Sequence, residues 1–337
     1  MTPKSILLIG LTLFGIAACS HDPLDVDPGS VSVDIRYTNL DSIFVHTDES
    51  ALKNTVEKLG LDNNGILAYE LGYCLRVGEI GDSGTTYRIK QFVNDTFVRR
   101  IEQRISEKFS DLSPQKQKIS EGFRYLKFHF PFGAIPANVV FMNSILRSNV
   151  FCTEREIGIG LERYLGAKTD VIKEIPTDFI FQWEKDGMNA EFMPRDVLTA
   201  WIMTHYVPEK KGNTAEAMVR WGKIIYLTEA AFPHDDKNMI MRYSAKDYQW
   251  ALDNEYAFWK YLVDEKLLFS ESERDQSNFL NDGPFTIGLP EKGPDRLGQF
   301  LGWRMVHSYM KENPKTKLAE LVNIPYNNIL QSYEIAD

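Results

Sequence analysis

A chain of 337 residues with 43% apolar, 12% aromatic and 25% charged side chains is long enough to bury a sizeable core and has an ordinary globular make-up. Its 47 acidic against 38 basic side chains leave a net charge of −9, which argues against nucleic acid and against adsorption to anionic headgroups. Beyond the first twenty residues no apolar run approaches the length of a membrane span, so a multi-span membrane protein is excluded too.

The N-terminus carries the sharpest signal. Lys4, a short apolar stretch and Ile16-Ala17-Ala18 lead directly into Cys19. A lone cation, an apolar run and small residues are the parts of a secretory signal peptide, and the cysteine narrows this to a bacterial lipoprotein signal. Residues 1–18 are then removed, Cys19 carries acyl chains such as palmitate, and the rest is lipid-anchored outside the cytoplasm, with the periplasmic side expected. Ser20, rather than aspartate, after the cysteine favours export from the inner membrane. Residues 19–30 include HDPLDVDPGS, rich in proline and aspartate, and read as a tether. Residues 31–337 read as one domain, with 31–190 and 191–337 as its two lobes if it divides.

Alternation at Val31, Val33, Ile35 and Tyr37 predicts an opening strand within 31–45. Asp48, Ala51, Leu52, Val56 and Leu59, ending at Gly60, predict a helix with a polar cap and a C-terminal glycine. The stretch 85–92 (TTYRIKQF) predicts a short strand. Val93, Phe97, Ile101, Ile105 and Phe109 fall four apart and predict an amphipathic helix over 94–109, with Arg99, Arg100, Glu102, Arg104, Glu107 and Lys108 on its outer side. Ser113-Pro114 starts a second helix. Segments 138–145 and 149–152 predict two strands with a turn near Arg147-Ser148. From Pro194 onward the chain predicts helices over 194–207, 214–231, 244–268 and 294–312. The last is apolar almost all round, and Gly298 and Gly302 lie one turn apart, where another backbone can come close. The fold class is α+β, with a β-containing N-terminal half and a mainly helical C-terminal half.

Few patterns carry chemistry. Among His21, His46, His129, His205, His234 and His307 no pair has the His-Glu-x-x-His spacing of a zinc hydrolase, and His205 sits among Val197, Leu198, Trp201 and Ile202 as a core histidine would. There is no Gly-x-Ser-x-Gly elbow, and Ser83 reads as a turn serine. Gly158-Ile159-Gly160 lacks the third glycine of a dinucleotide loop. Glu154 and Glu156 are a carboxylate pair of the kind any acidic surface carries. His234-Asp235-Asp236 is a weak candidate for a divalent cation. Cys74 and Cys152 read as two buried thiols, with a disulfide as the alternative. All six tryptophans follow residue 180, where some could line a peptide or glycan groove.

From residue 156 onward a series of motifs accumulates: Ile157-Gly158-Ile159-Gly160-Leu161-Glu162-Arg163-Tyr164-Leu165-Gly166, Met193-Pro194-Arg195-Asp196, Gly222-Lys223-Ile224-Ile225-Tyr226 with Phe232-Pro233, and Asn254-Glu255 with Trp259-Lys260-Tyr261. Leu267-Leu268-Phe269-Ser270, Gly283-Pro284-Phe285-Thr286 and Gly298-Gln299-Phe300-Leu301-Gly302-Trp303-Arg304 complete it. In this order they resemble the gliding-motility lipoprotein GldB family. The resemblance implies a lipoprotein of Bacteroidetes-type bacteria tied to gliding motility and type IX secretion. Its expected partners are envelope proteins of that machinery, with membrane contact through the lipid and none with nucleic acid.

It also implies a distant likeness to zinc peptidases in which a His-Glu-x-x-His helix precedes one bearing Glu-Gly. Laid on this chain, Trp201, Ile202 and Trp221 replace the first imidazole, the general base and the third ligand, and only His205 survives. The expectation is a degenerate zincin-like fold with no catalytic residue, no metal and no cofactor. Its old cleft would serve as a partner groove holding Trp201, His205, Lys223, Tyr226, Pro284, Phe285 and Arg296. An active zinc peptidase with unrecognised ligands and a carbohydrate- or peptide-binding module are the alternatives.

Overall fold

The computed structural model describes residues 23–62, 64–290 and 292–335. The signal segment and the acylation candidate Cys19 lie outside the described residues. The strand expected over 31–45 is cut short: β1 (Arg36–Asn39) ends where the Asn39 side chain accepts the Ser42 N–H at 3.0 Å and caps α1 (Leu40–His46). Next come α2 (Glu49–Asp62), α3 (Asn64–Tyr69, running into a π-helical turn at Glu70–Cys74), α4 (Thr85–Val93), α5 (Thr96–Lys108) and α6 (Ser113–His129). The 85–92 stretch is therefore a helix, not a strand. Thr85, Ile89 and Val93 recur every four residues and are all buried, and this helical stripe outweighs the β-branched pair Thr85-Thr86.

A four-stranded sheet crosses the middle of the chain, with β2 (Asn138–Met142), β3 (Val150–Cys152) and β4 (Glu156–Gly160) joining β1 in the order β1-β2-β4-β3. The first three are parallel and β3 runs antiparallel at the edge. β4, not foreseen as a strand, is wholly buried. Side chains alternate between two cores: Val139, Phe141, Ile157 and Ile159 face the larger, while Val140 and Met142 face a smaller one built with α1, α2, α3 and α4. Gly158 and Gly160 point to the smaller side, and a Cβ at Gly160 would lie 2.2 Å from the Ser148 carbonyl. Gly160 lets backbone pack on backbone, and Gly158 leaves room for the Met142 and Ile66 side chains.

After the sheet come α7 (Asp170–Glu174), α8 (Gln182–Asp186), α9 (Met193–His205), α10 (Thr214–Ala231) and α11 (Lys237–Met241). The helix expected over 244–268 breaks at Asn254 into α12 (Ala245–Asp253) and α13 (Glu255–Asp264), followed by α14 (Glu273–Leu280), α15 (Leu297–Glu312), α16 (Leu318–Leu321) and α17 (Tyr326–Gln331). α15 is central, as its composition predicts, and packs most closely on α10. The larger core draws on residues from Leu24 to Ile329 and so crosses residue 190 without a break.

Residues 23–32 are not a free tether. Leu24 is only 3% exposed and belongs to the larger core, while Arg124 donates to the carbonyls of Val31 and Gly29 and Lys127 to that of Ser32. The segment is strapped along α6.

Candidate functional site

In sheets of parallel strands the natural place for a site is outside the carboxyl ends, where successive turns present side chains to one crevice. Here all three parallel strands deliver polar side chains there, two of them acids. Asp41 lies two residues past β1, Asn143 and Ser144 follow β2, and Glu162 follows β4 in a 3-10 turn. Glu70 enters from the π-helical turn and Glu102 from α5.

The Asn143-Ser144 segment is the hub. Its backbone N–H donates to Asp41 Oδ1 at 2.5 Å, and Asn143 Nδ2 donates to Glu102 Oε1 at 2.6 Å. Ser144 Oγ and the Leu146 N–H donate to Glu162 Oε1 at 2.5 and 2.7 Å. Ile145 and Leu146 both adopt positive φ, 51° and 66°. That costs a β-branched residue conformational strain, and such strain concentrates at functional sites. The second oxygens, Asp41 Oδ2, Glu70 Oε2 and Glu162 Oε2, are buried with no hydrogen-bond partner.

Four acids gathered this closely away from water cannot all ionise cheaply. Burial, then the charges of Glu102, Glu70 and Glu162, hold the Asp41 carboxyl well above its usual range. Burial raises Glu70 strongly, raises Glu162, and pushes Glu102 up to about 7. The Cys74 thiol beside them is also pushed up by burial and by Glu70, so it is no nucleophile at neutral pH.

Asp41 and Glu102 line a cavity of about 830 Å³ whose other walls include His46, Lys90, Arg99 and Arg100. Acids lie at its floor and basic groups on its walls. Chemically the arrangement can hold protons on its carboxyls and can receive a polar occupant. Among the described residues no group of three or more His, Cys, Asp or Glu is arranged to hold a metal ion.

This site escapes a sequence reading, with one exception. Glu102 was expected on the outer face of its helix, yet it sits four residues after the buried Val98 and three before the buried Ile105, on the apolar stripe. That register is a legible sign of a carboxylate turned inward, and Glu102 is half-buried. Glu229 is a second such case. Fully buried in α10, it accepts from Trp303 Nε1 and hydrogen-bonds His307 Nε2, each at 2.7 Å, and pairs with Lys237. Burial would raise its pKa, but His307 and Lys237 hold it below the usual value.

The seven residues expected in one groove are dispersed. Trp201 is fully buried, donates to the Ala134 carbonyl at 2.9 Å and stacks on His205, whose Nε2 is 3.1 Å from the Thr153 carbonyl. Lys223 donates to the Ile324 and Val322 carbonyls and lines a cavity of about 480 Å³ near Tyr206 and Tyr326. Tyr226 is buried, edge-on to His307, at the base of a separate cavity of about 510 Å³. Pro284 and Arg296 line a third, of about 590 Å³, and Phe285 is half-buried beside them. They fall into separate places, with Trp201 against His205, Pro284 and Phe285 near Arg296, and Lys223 and Tyr226 each at a different cavity, so these residues do not build a single groove.

Arg296 is structural. It adopts positive φ and bonds Asp282, Asp295 and the Met241 and Arg242 carbonyls. Arg296→Glu is therefore expected to cost about 3 kcal/mol in urea unfolding, as breaking a buried ion pair does. Unchanged stability would contradict this role.

The smaller candidates resolve plainly. Cys74 and Cys152 are both free thiols. Glu156 accepts the Gly65 and Ile66 N–H groups and caps α3, whereas Glu154 is exposed, so they are no catalytic pair. Asp235 pairs with Lys118. All six tryptophans are buried or half-buried.

The family model for the gliding motility protein GldB matches residues 21–334, and the chain belongs to that family. No curated protein matches it, and no solved structure does.

Proposed function

We propose that this member of the gliding-motility family is a lipid-anchored, non-enzymatic component of the envelope's motility and type IX secretion apparatus that works through protein contacts. One observation carries the reading. The α9–α10 pair, where a peptidase relative would hold zinc, is filled by packing: Trp201 and Ile202 are fully buried, and Trp221 is half-buried in the Glu-Gly helix position. An indole and an isoleucine supply neither a ligand nor a base. The remaining His205 is occupied with Thr153 and Trp201.

The test is metal content. Purified protein should hold well under one equivalent of zinc, and a chelator should leave its melting temperature unchanged. A structural or catalytic zinc would instead contribute to folding. One tightly held zinc per chain with a chelator-sensitive melt would return the chain to the peptidases.

A second reading, a module that receives a peptide or glycan, is favoured by the polar cavity over the sheet's carboxyl end. Binding of such a ligand that is lost in Arg99→Glu would support it.

A further inference from the structure

We propose that the face built by the C-terminal end of α6, the 130–133 turn and the segment joining α15 to α16 lies directly against the membrane, with Phe132 in the headgroup layer. The inference rests on the reading that Cys19 is acylated, and goes beyond it by fixing how the body is held.

The argument starts from Leu24. It is buried in the larger core, in a cavity lined by Phe128, His129, Pro131, Met310 and Lys317, and the chain from Leu24 to Ser32 is bonded along α6. The chain from the acylated residue to the body is therefore five residues long, Cys19 to Pro23, not the twelve that the composition suggests. Fully extended, five residues reach about 18 Å. A chain of this size has a radius of gyration of about 20 Å, so its outer radius exceeds that reach. A body held on so short a lead cannot turn this face away from the bilayer.

The face is suited to the contact. Phe132, next to Pro131, is 103% exposed, and Phe128 is exposed as well. Around the same cavity Lys315 and Lys317 are exposed, with Glu312 and Glu320 among them, so the charge is mixed and the aromatics supply the affinity. Aromatic side chains at a bilayer surface settle among the headgroups, flanked by lysines. A protein partner would have to fit within the same short gap, which leaves the lipid surface as the occupant.

The experiment uses the acylated full chain reconstituted in vesicles of phosphatidylethanolamine and phosphatidylglycerol. An environment-sensitive dye is placed at Phe132→Cys, and in a second sample at Leu61→Cys on α2, an exposed position on the smaller core's side of the sheet. Unsubstituted protein gives the background from Cys74 and Cys152. The dye at 132 should shift to the blue and be quenched several-fold more by headgroup-labelled nitroxide lipid than the dye at 61. If the protein floats with the vesicles but both dyes report water, the orientation is wrong although the anchor is right. If the chain and its Cys19→Ala variant partition alike, the anchor reading fails and the orientation falls with it. A dye at 132 shielded from water but unquenched by lipid would mean that a protein covers this face, and would overturn the proposal.

Discussion

Gly302→Ala should destabilise this protein by more than about 3 kcal/mol, the upper end of the usual cost of overpacking, because here nothing can yield. A Cβ at Gly302 would lie 1.8 Å from the Met218 carbonyl oxygen, and one at Gly222 would lie 2.1 Å from that of Gly302. The obstacles are main-chain atoms of packed helices, not the ends of flexible side chains. α10 and α15 would have to separate, and the loss would spread to the Glu229 network, because Trp303 and His307 reach Glu229 across this contact. Gly298→Ala meets the Phe279 carbonyl at 2.9 Å and should cost less, while Gly72→Ala meets nothing within 4 Å and should be neutral or slightly stabilising. Urea unfolding of the three variants gives the ranking. A Gly302→Ala protein within about 1 kcal/mol of the parent would show that the helices are not in backbone contact.

That contact is the part of the fold most legible in the sequence, because glycines one turn apart in an apolar helix have few other uses. The amphipathic α5, the proline-started α6 and the paired glycines of α15 were readable because each expresses one period or one steric need. What was not readable depends on tertiary partners. β4 is two isoleucines alternating with glycine, a pattern that propensity does not favour as a strand. It is one because its glycines admit Ile66 and Ser148. The 244–268 helix broke at Asn254, whose side chain bonds the Trp250 carbonyl, a local competition with the helix that apolar spacing cannot register. The candidate groove failed for a similar reason. Lys223 and Arg296 look like surface cations in a list of residues, yet each is spent on buried carbonyls or acids. The carboxylate cluster draws on four separate segments, and even Glu102, whose register on the apolar stripe is its one sign in the sequence, reads first as an outer-face charge.

The cluster makes the second large prediction, a loss of stability as pH rises from about 6.5 to 8. The carboxyls of Asp41, Glu70, Glu102 and Glu162 are all raised above their ordinary values, chiefly by burial, so the folded state keeps protons that the unfolded chain has already released. Their stabilisation is complete below the unfolded pKa and is lost as pH climbs through the folded one. Groups with the opposite sense act outside this window. Burial depresses His129 to about 4, so its contribution is complete once pH exceeds the ordinary histidine value near 6.5. Burial depresses Lys223 to about 8, so its contribution grows only above that. Each cluster carboxyl still protonated should cost about 1.4 kcal/mol per pH unit, or about 2 kcal/mol across the window. Glu102→Gln keeps a carbonyl acceptor for Asn143 and removes one titration, and Asp41→Asn removes another. Both variants should flatten the fall and gain stability over the parent at pH 8 more than at pH 6.5. Urea midpoints that hold level or rise across this window in the parent would mean that the four acids are already ionised, and that the floor of the cavity is a charged surface rather than a store of protons.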